Sequence, residues 1–202
     1  MIAIIDYDVG NLKNVATALK DVDLNGVITR DKKIVDDADA IILPGVGAFS
    51  DAMAHLHRYD LIDCLNKNVK SGKILMGICL GMQVLFDKSF EDGQWQGLSY
   101  IPGEIIKFDT PGLKVPHMGW NNLALNLEDP LTNGITSEDY VYFVHSYYAK
   151  PKNWEDVVAY ADYGVKVPGI VRLDNVIGMQ FHPEKSSKVG TRLLKNFKEM
   201  LQ

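Results

Sequence analysis

Two segments of this 202-residue chain carry residue types that could together perform covalent catalysis: GICLG, with Cys79 between Gly77 and Gly81, and FHPEK, with His182 and Glu184 flanking Pro183. Cys79 ends a strand-like run, KILMGI (73–78), and precedes a helix-compatible one, MQVLF (82–86). That is the G-x-nucleophile-x-G elbow, in which a sharp strand-to-helix turn lifts the central side chain above the strand ends. The turn forces the central backbone into a conformation costing about 1–3 kcal/mol, and flanking glycines relieve the crowding. A helix N-terminus or an imidazolium nearby can bring a thiol from its usual pKa of about 8.5 to about 7 or below, raising the thiolate fraction. A lone cysteine in an apolar run is more often structural; the two glycines and the strand-helix context favour a nucleophile. Cys64, in LIDCLNKNV, has no such glycines, shares a helical stripe with Leu61, Leu65 and Val69, and reads as packing.

His182 alone at the end of VIGMQF (176–181) would be an ordinary strand-end histidine. Combined with the elbow it supplies the missing base: the imidazole takes the thiol proton and later protonates the leaving group, while Glu184 fixes the ring tautomer. A tetrahedral intermediate also needs backbone donors. Pro44-Gly45-Val46-Gly47 follows the strand-like AIIL (40–43), and its glycines let a main-chain N–H turn toward an oxyanion, with the Leu80 N–H as second donor.

These residues meet only if the chain builds an open α/β sheet, where sites form beyond the carboxyl ends of the strands. The first half has that pattern: IAII (2–5), VITR (27–30), AIIL (40–43) and KILMGI (73–78) read as strands. Leu12, Val15, Ala16 and Leu19 mark one helix face between them, and 49–56 and 60–70 read as further helices. From about residue 95 strand-like runs follow without intervening helices: EIIKF (104–108), YVYFVHSYYA (140–149), VVAYA (157–161) and GIVRL (169–173). They are expected as antiparallel additions to a mostly parallel, twisted sheet. Val189, Leu193, Leu194, Phe197 and Leu201 form the stripe of a C-terminal helix that packs on the sheet. One domain over 1–202 is the expectation.

Composition narrows the function classes. A net charge of −5 with no basic block disfavours nucleic-acid binding. No stretch approaches the roughly 18 apolar residues of a membrane span. MIAIIDYDVG reaches Asp6 too early for a signal-peptide core, and two cysteines make no disulfide framework, so the chain is expected in the cytoplasm. A zinc site from Cys79, His145 and His182 has no recognisable ligand spacing, and no cofactor is expected. His55 and His57 read as solvated helix-end residues, and Trp120, taken alone, as core.

GICLGMQ around Cys79, PGVGAF (44–49) and QFHPEKS (180–186) together resemble the signature segments of the class I, triad-type glutamine amidotransferases. GNL (10–12), VPHMGWN (115–121) and YFVHSYY (142–148) narrow the resemblance, over residues 2–201, to the glutaminase subunits of imidazole glycerol phosphate synthases. The resemblance implies a Cys79-His182-Glu184 triad, oxyanion donors at Val46 and Leu80, and a glutamine pocket lined by Gly47, Gln83, His145, Ser146 and Tyr147. It further implies that Asn11, Asn14, Trp120 and Lys185 face a (β/α)8-barrel cyclase subunit, which receives the ammonia through an internal channel. DYDVGNL departs from the family at Asp8, where glycine is usual, which puts the conformation of that interface loop in question. A glutaminase serving another synthase, or a non-catalytic module of the same fold, are the alternatives.

Overall fold

The computed structural model describes residues 1–202. Its first half alternates strands and helices: β1 (Ile2–Ile5), α1 (Leu12–Lys20), β2 (Gly26–Thr29), α2 (Lys32–Asp37), β3 (Ala40–Gly45), α3 (Phe49–Arg58), α4 (Ile62–Lys70) and β4 (Ile74–Cys79). A one-turn helix, α5 (Leu80–Gln83), then leads into β5 (Phe86–Ser89), β6 (Trp95–Gln96), β7 (Ile101–Lys107), β8 (His117–Asn122) and β9 (Ala124–Leu125). The remainder is β10 (Tyr140–His145), β11 (Tyr147–Pro151), β12 (Val157–Asp162), β13 (Lys166–Leu173), β14 (Val176–Met179) and α6 (Ser187–Glu199).

Eight strands form the central sheet in the order β2-β1-β3-β4-β14-β13-β12-β9. β2, β1, β3, β4 and β14 run parallel, and β13, β12 and β9 extend the sheet antiparallel. Successive strand residues face opposite sides of a sheet, and the sequence uses both. Ala3, Ile5, Ile41, Leu43 and Leu75 enter a core under α3 and α4, whereas Ile2, Ile4, Ile42, Met76 and Ile78 enter a second core under α1 and α6. Burial on both faces is why these strands read as continuous apolar runs rather than alternating ones. Cys64 lies in the first of these cores. No helix is long and apolar enough to cross a membrane.

VVAYA and GIVRL join the central sheet antiparallel as expected, whereas EIIKF and YVYFVHSYYA go to other sheets. β5, β6, β7 and β11 make a separate four-stranded sheet, and β8 pairs with β10 in a two-stranded one. YVYFVHSYYA, expected as one strand, is divided at Ser146: Tyr140–His145 pairs with His117–Asn122, and Tyr147–Pro151 pairs with β7. The apolar and aromatic character continues across Ser146 because both pieces are half-buried, so periodicity carries no mark of the break. MQVLF, expected as helix, supplies a single turn before Phe86 enters β5. α2, β5, β6, β8 and β9 are too short or too polar to have stood out.

Candidate active site

β4 lies between β3 and β14, with Cys79 opposite Gly45 and Ile78 opposite Met179. All three strands run in one direction, so their carboxyl ends deliver Gly45-Val46-Gly47, Cys79 and His182 to one edge. Cys79 has φ 57° and ψ −112°, a left-handed backbone that a side chain occupies at a cost of about 1–3 kcal/mol. The glycines of the elbow serve contact more than torsion. A Cβ on Gly77 would stand 2.4 Å from the Gly81 carbonyl oxygen, and one on Gly81 would stand 1.7 Å from that of Leu43. Since the helix after Cys79 is only one turn long, it offers the sulfur a much smaller dipole than a full helix would.

His182 follows β14 and is anchored through its backbone. Its N–H donates to the Tyr142 carbonyl at 3.1 Å, and its own carbonyl accepts from the Ser186 hydroxyl at 2.6 Å. Pro183 opens a short 3₁₀ turn, Pro183–Lys185, which curls Glu184 back over the ring. His182 Nδ1 and Glu184 Oε1 are 2.7 Å apart. The carboxylate only accepts, so Nδ1 carries the proton and Nε2 is left for the sulfur side of the ring. Nε2 is buried beside the Cys79 sulfur, which favours a proton on the ring both as a hydrogen-bonding neighbour and through charge. Burial pushes the His182 pKa down, but the neighbouring Cys79 sulfur and the Glu184 carboxylate push it up further, to about 9.

Cys79 and His182 open on a cavity of about 420 Å³ whose lining includes Val46, Gly47, Leu80, Gln83 and the His145-Ser146-Tyr147 stretch. Every residue expected to make the triad, the oxyanion donors or the pocket therefore borders one space or, like Glu184, stands directly behind it. Gly47 has φ 101°, in the left-handed region, with open space where a Cβ would lie. The N–H of Leu80 opens α5, where helical amides have no intrahelical acceptor.

Gln83 is less available than expected. Its Nε2 donates inward to the Tyr147 carbonyl and to Gln180 Oε1, both at 3.0 Å. His145 is also committed: Nδ1 lies 2.8 Å from the Tyr147 carbonyl, and Nε2 lies 3.0 Å from His117 Nδ1. Burial pushes the pKa of His145 down to about 3 and that of His117 down to about 4, so both rings are neutral.

Sequence reasoning missed Glu91, Gln180 and His117. Glu91 lines the cavity from the loop after β5 and accepts from the Phe49 N–H at 2.6 Å, and burial raises its pKa. Nothing in FEDGQW marks it, because the loop approaches the site only in the fold. Gln180 sits beside His182 in the segment that reads as the end of a strand. His55, expected to be solvated, instead places Nδ1 2.9 Å from the Tyr7 carbonyl. Asn11, Asn14 and Lys185 are exposed where α1 packs against the 3₁₀ turn. Trp120, core on sequence alone, is 54% exposed on β8 and meets Tyr142 edge to face.

Comparison with known proteins matches residues 3–200 to the family "Glutamine amidotransferase class-I". Imidazole glycerol phosphate synthase subunit HisH of Bacillus cereus is 50% identical over 202 residues, covering 100% of this chain and 96% of that one. The subunit of the same name from Caldanaerobacter subterraneus is 45% identical, covering 100% of this chain and 99% of that protein. Among solved structures, a glutamine amidotransferase superposes with a TM-score of 0.78 at 20% identity over 100% of this chain and 99% of the other. PurLQS from Thermotoga maritima gives 0.76 at 21% identity, covering 100% and 98%. At such identities these two structures speak for the fold alone.

Proposed function

The chain belongs to the class I glutamine amidotransferases, and from that premise we propose how it works. It is the glutaminase subunit of an imidazole glycerol phosphate synthase in histidine biosynthesis, with glutamine as substrate and the cyclase subunit as partner. Cys79, His182 and Glu184 are the triad. The observation that carries this assignment is the meeting, at one cavity, of a cysteine on a left-handed elbow with a histidine whose outer nitrogen is held by a buried carboxylate.

The Cys79 thiolate attacks the side-chain amide carbon of glutamine, forming a C–S bond, and the carbonyl electrons move to oxygen. The N–H groups of Val46 and Leu80 stabilise that oxyanion, a contribution typically worth about 100–1000-fold in rate per donor. His182, as imidazolium, protonates the departing nitrogen, and the C–N bond breaks to give ammonia and a thioester. The neutral ring then takes a proton from water, hydroxide adds to the thioester, and glutamate leaves as the thiolate and imidazolium are restored. Gly47, Gln83, His145, Ser146 and Tyr147 shape the pocket, and the Glu91 carboxylate suits the substrate α-ammonium. Ammonia passes through an internal channel to the (β/α)8-barrel cyclase, which docks on Asn11, Asn14, Trp120 and Lys185. The chain works as one domain, and its two free cysteines suit the reducing cytoplasm.

Glutamate release, measured for the native chain and for Cys79→Ala with the cognate cyclase and its ribulosyl-phosphate precursor, tests the reading. The native chain should hydrolyse glutamine poorly alone and faster with liganded cyclase, and the variant should release none. Undiminished release by Cys79→Ala would sink the mechanism, and failure of the cyclase to stimulate would sink the pathway.

A further inference from the structure

Taking Cys79 as the nucleophile, we infer that Gln180 is its positioning residue: the Gln180 side-chain amide, oriented by hydrogen bonds that begin at the Tyr147 carbonyl, donates to Cys79 Sγ and favours the thiolate. The polarity of the chain of bonds follows from one atom. A carbonyl oxygen only accepts, and Tyr147 O receives His145 Nδ1 at 2.8 Å and Gln83 Nε2 at 3.0 Å, which fills both its lone pairs. Gln83 must therefore present its NH2 there. The second N–H of that group reaches Gln180 Oε1 at 3.0 Å. Gln180 is left with its own NH2 on the opposite side, 3.9 Å from Cys79 Sγ.

Reversing Gln180 would set two NH2 groups against each other and turn carbonyl lone pairs toward the sulfur. Nor can the residue move away: it is fully buried, and its backbone N–H donates to the Gly169 carbonyl at 2.9 Å. A buried donor needs an acceptor, and a thiol sulfur is a weak one, whereas a thiolate is strong. The donor thus gains more from the ionised sulfur than from the neutral one. The bonds also continue outward from His145 to His117 and on to Asn121 Nδ2, 3.3 Å from His117 Nε2. The same carbonyl therefore fixes the tautomers of both neutral rings.

Other groups face the sulfur from each packed element. Tyr7, after β1, is buried and kept neutral, its hydroxyl donating to the Pro44 carbonyl at 2.7 Å. His182 lies after β14, and Glu91 and His145 line the cavity after β5 and on β10. His182 supplies the positive charge beside the sulfur, and Gln180 supplies a donor that does not titrate.

The test is alkylation of Cys79 by iodoacetamide across pH, followed by mass spectrometry of the Cys79 peptide so that Cys64 does not contribute. Gln180→Met keeps length and apolar burial but loses the donor. Its reaction midpoint should rise by about one pH unit, giving about tenfold slower alkylation near neutrality, as expected for a lost bond to a charged acceptor. Gln180→Glu, which turns a carboxylate toward the sulfur, should shift it further. Should both fail to fold, Gln83→Met removes the lock on Gln180 and should move the midpoint the same way by less. A folded variant with the native profile would overturn the inference. The readout uses neither glutamine nor cyclase. A shifted profile without glutamate release would retire the function alone, and glutamate release with an unshifted profile would retire the role of Gln180 alone.

Discussion

His182 and His145 line one cavity, with His117 behind His145, and they differ in charge: the first ring is cationic and the other two are neutral. At the end of β14 the ring is buried against Glu184 and Cys79, and its pKa rises to about 9. Across the cavity His145 is buried against a carbonyl and a second ring, and its pKa falls to about 3. Burial acts in the same direction on both, always against the charged form. What differs is the partner: a carboxylate and a sulfur reward a proton, whereas a carbonyl and a neutral imidazole are served by a neutral ring. One side of the cavity is thereby equipped to move protons and the other to hold a shape.

The largest effect expected from breaking this contrast is at His182. His182→Gln keeps a donor but cannot shuttle a proton, and should lower cyclase-stimulated glutamate release by about 100–10,000-fold. Glu184→Gln should cost about 10–100-fold, the worth of a bond to a charged group, roughly 1.5–3 kcal/mol. It should also bring the alkaline limit of stability down. A histidine whose folded pKa is raised contributes stability that is fully present below about 6.5 and is lost as pH rises through about 9. Guanidinium melts between pH 6 and 10 would show that loss in the native chain and its displacement to lower pH in Glu184→Gln. His117→Gln should be the mildest, about 2–12-fold in activity, matching the 0.5–1.5 kcal/mol of one neutral hydrogen bond. Its signature lies in acid. The folded pKa values of His117 and His145 are depressed, so stability is lost as pH falls from about 6.5 toward about 4, and removing one ring should flatten that slope. An unchanged acid slope in His117→Gln would contradict the neutral pair.

The legible parts of the fold were those with a strong local cause. β1, β3 and β4 are continuous apolar runs because helices cover both their faces, and α1 and α6 show a clear stripe. The division at Ser146 was not legible, because two half-buried strands in different sheets share one aromatic texture. Trp120, taken alone, misled for a related reason: a tryptophan by itself reads as core, yet β8 belongs to a two-stranded sheet that leaves this face open. His55 contributes a ring nitrogen to the Tyr7 carbonyl across 48 positions of sequence, a contact without a local signal.

The same division separates the parts of the site. GICLG and FHPEK carry their chemistry in residue type and spacing, since an elbow needs small residues around its nucleophile and a 3₁₀ turn after proline folds Glu184 onto His182 within two positions. Those features are local, and the sequence alone was enough to nominate them. Everything that joins them is non-local. The parallel order β3-β4-β14 brings Val46, Cys79 and His182 to one edge. Only the tertiary structure seats Glu91 in the wall, neutralises His117 and His145 by burial, and turns the amide of Gln180 toward Cys79. Charge state and hydrogen-bond polarity depend on what surrounds a group, and those surroundings come from strands that are distant in sequence.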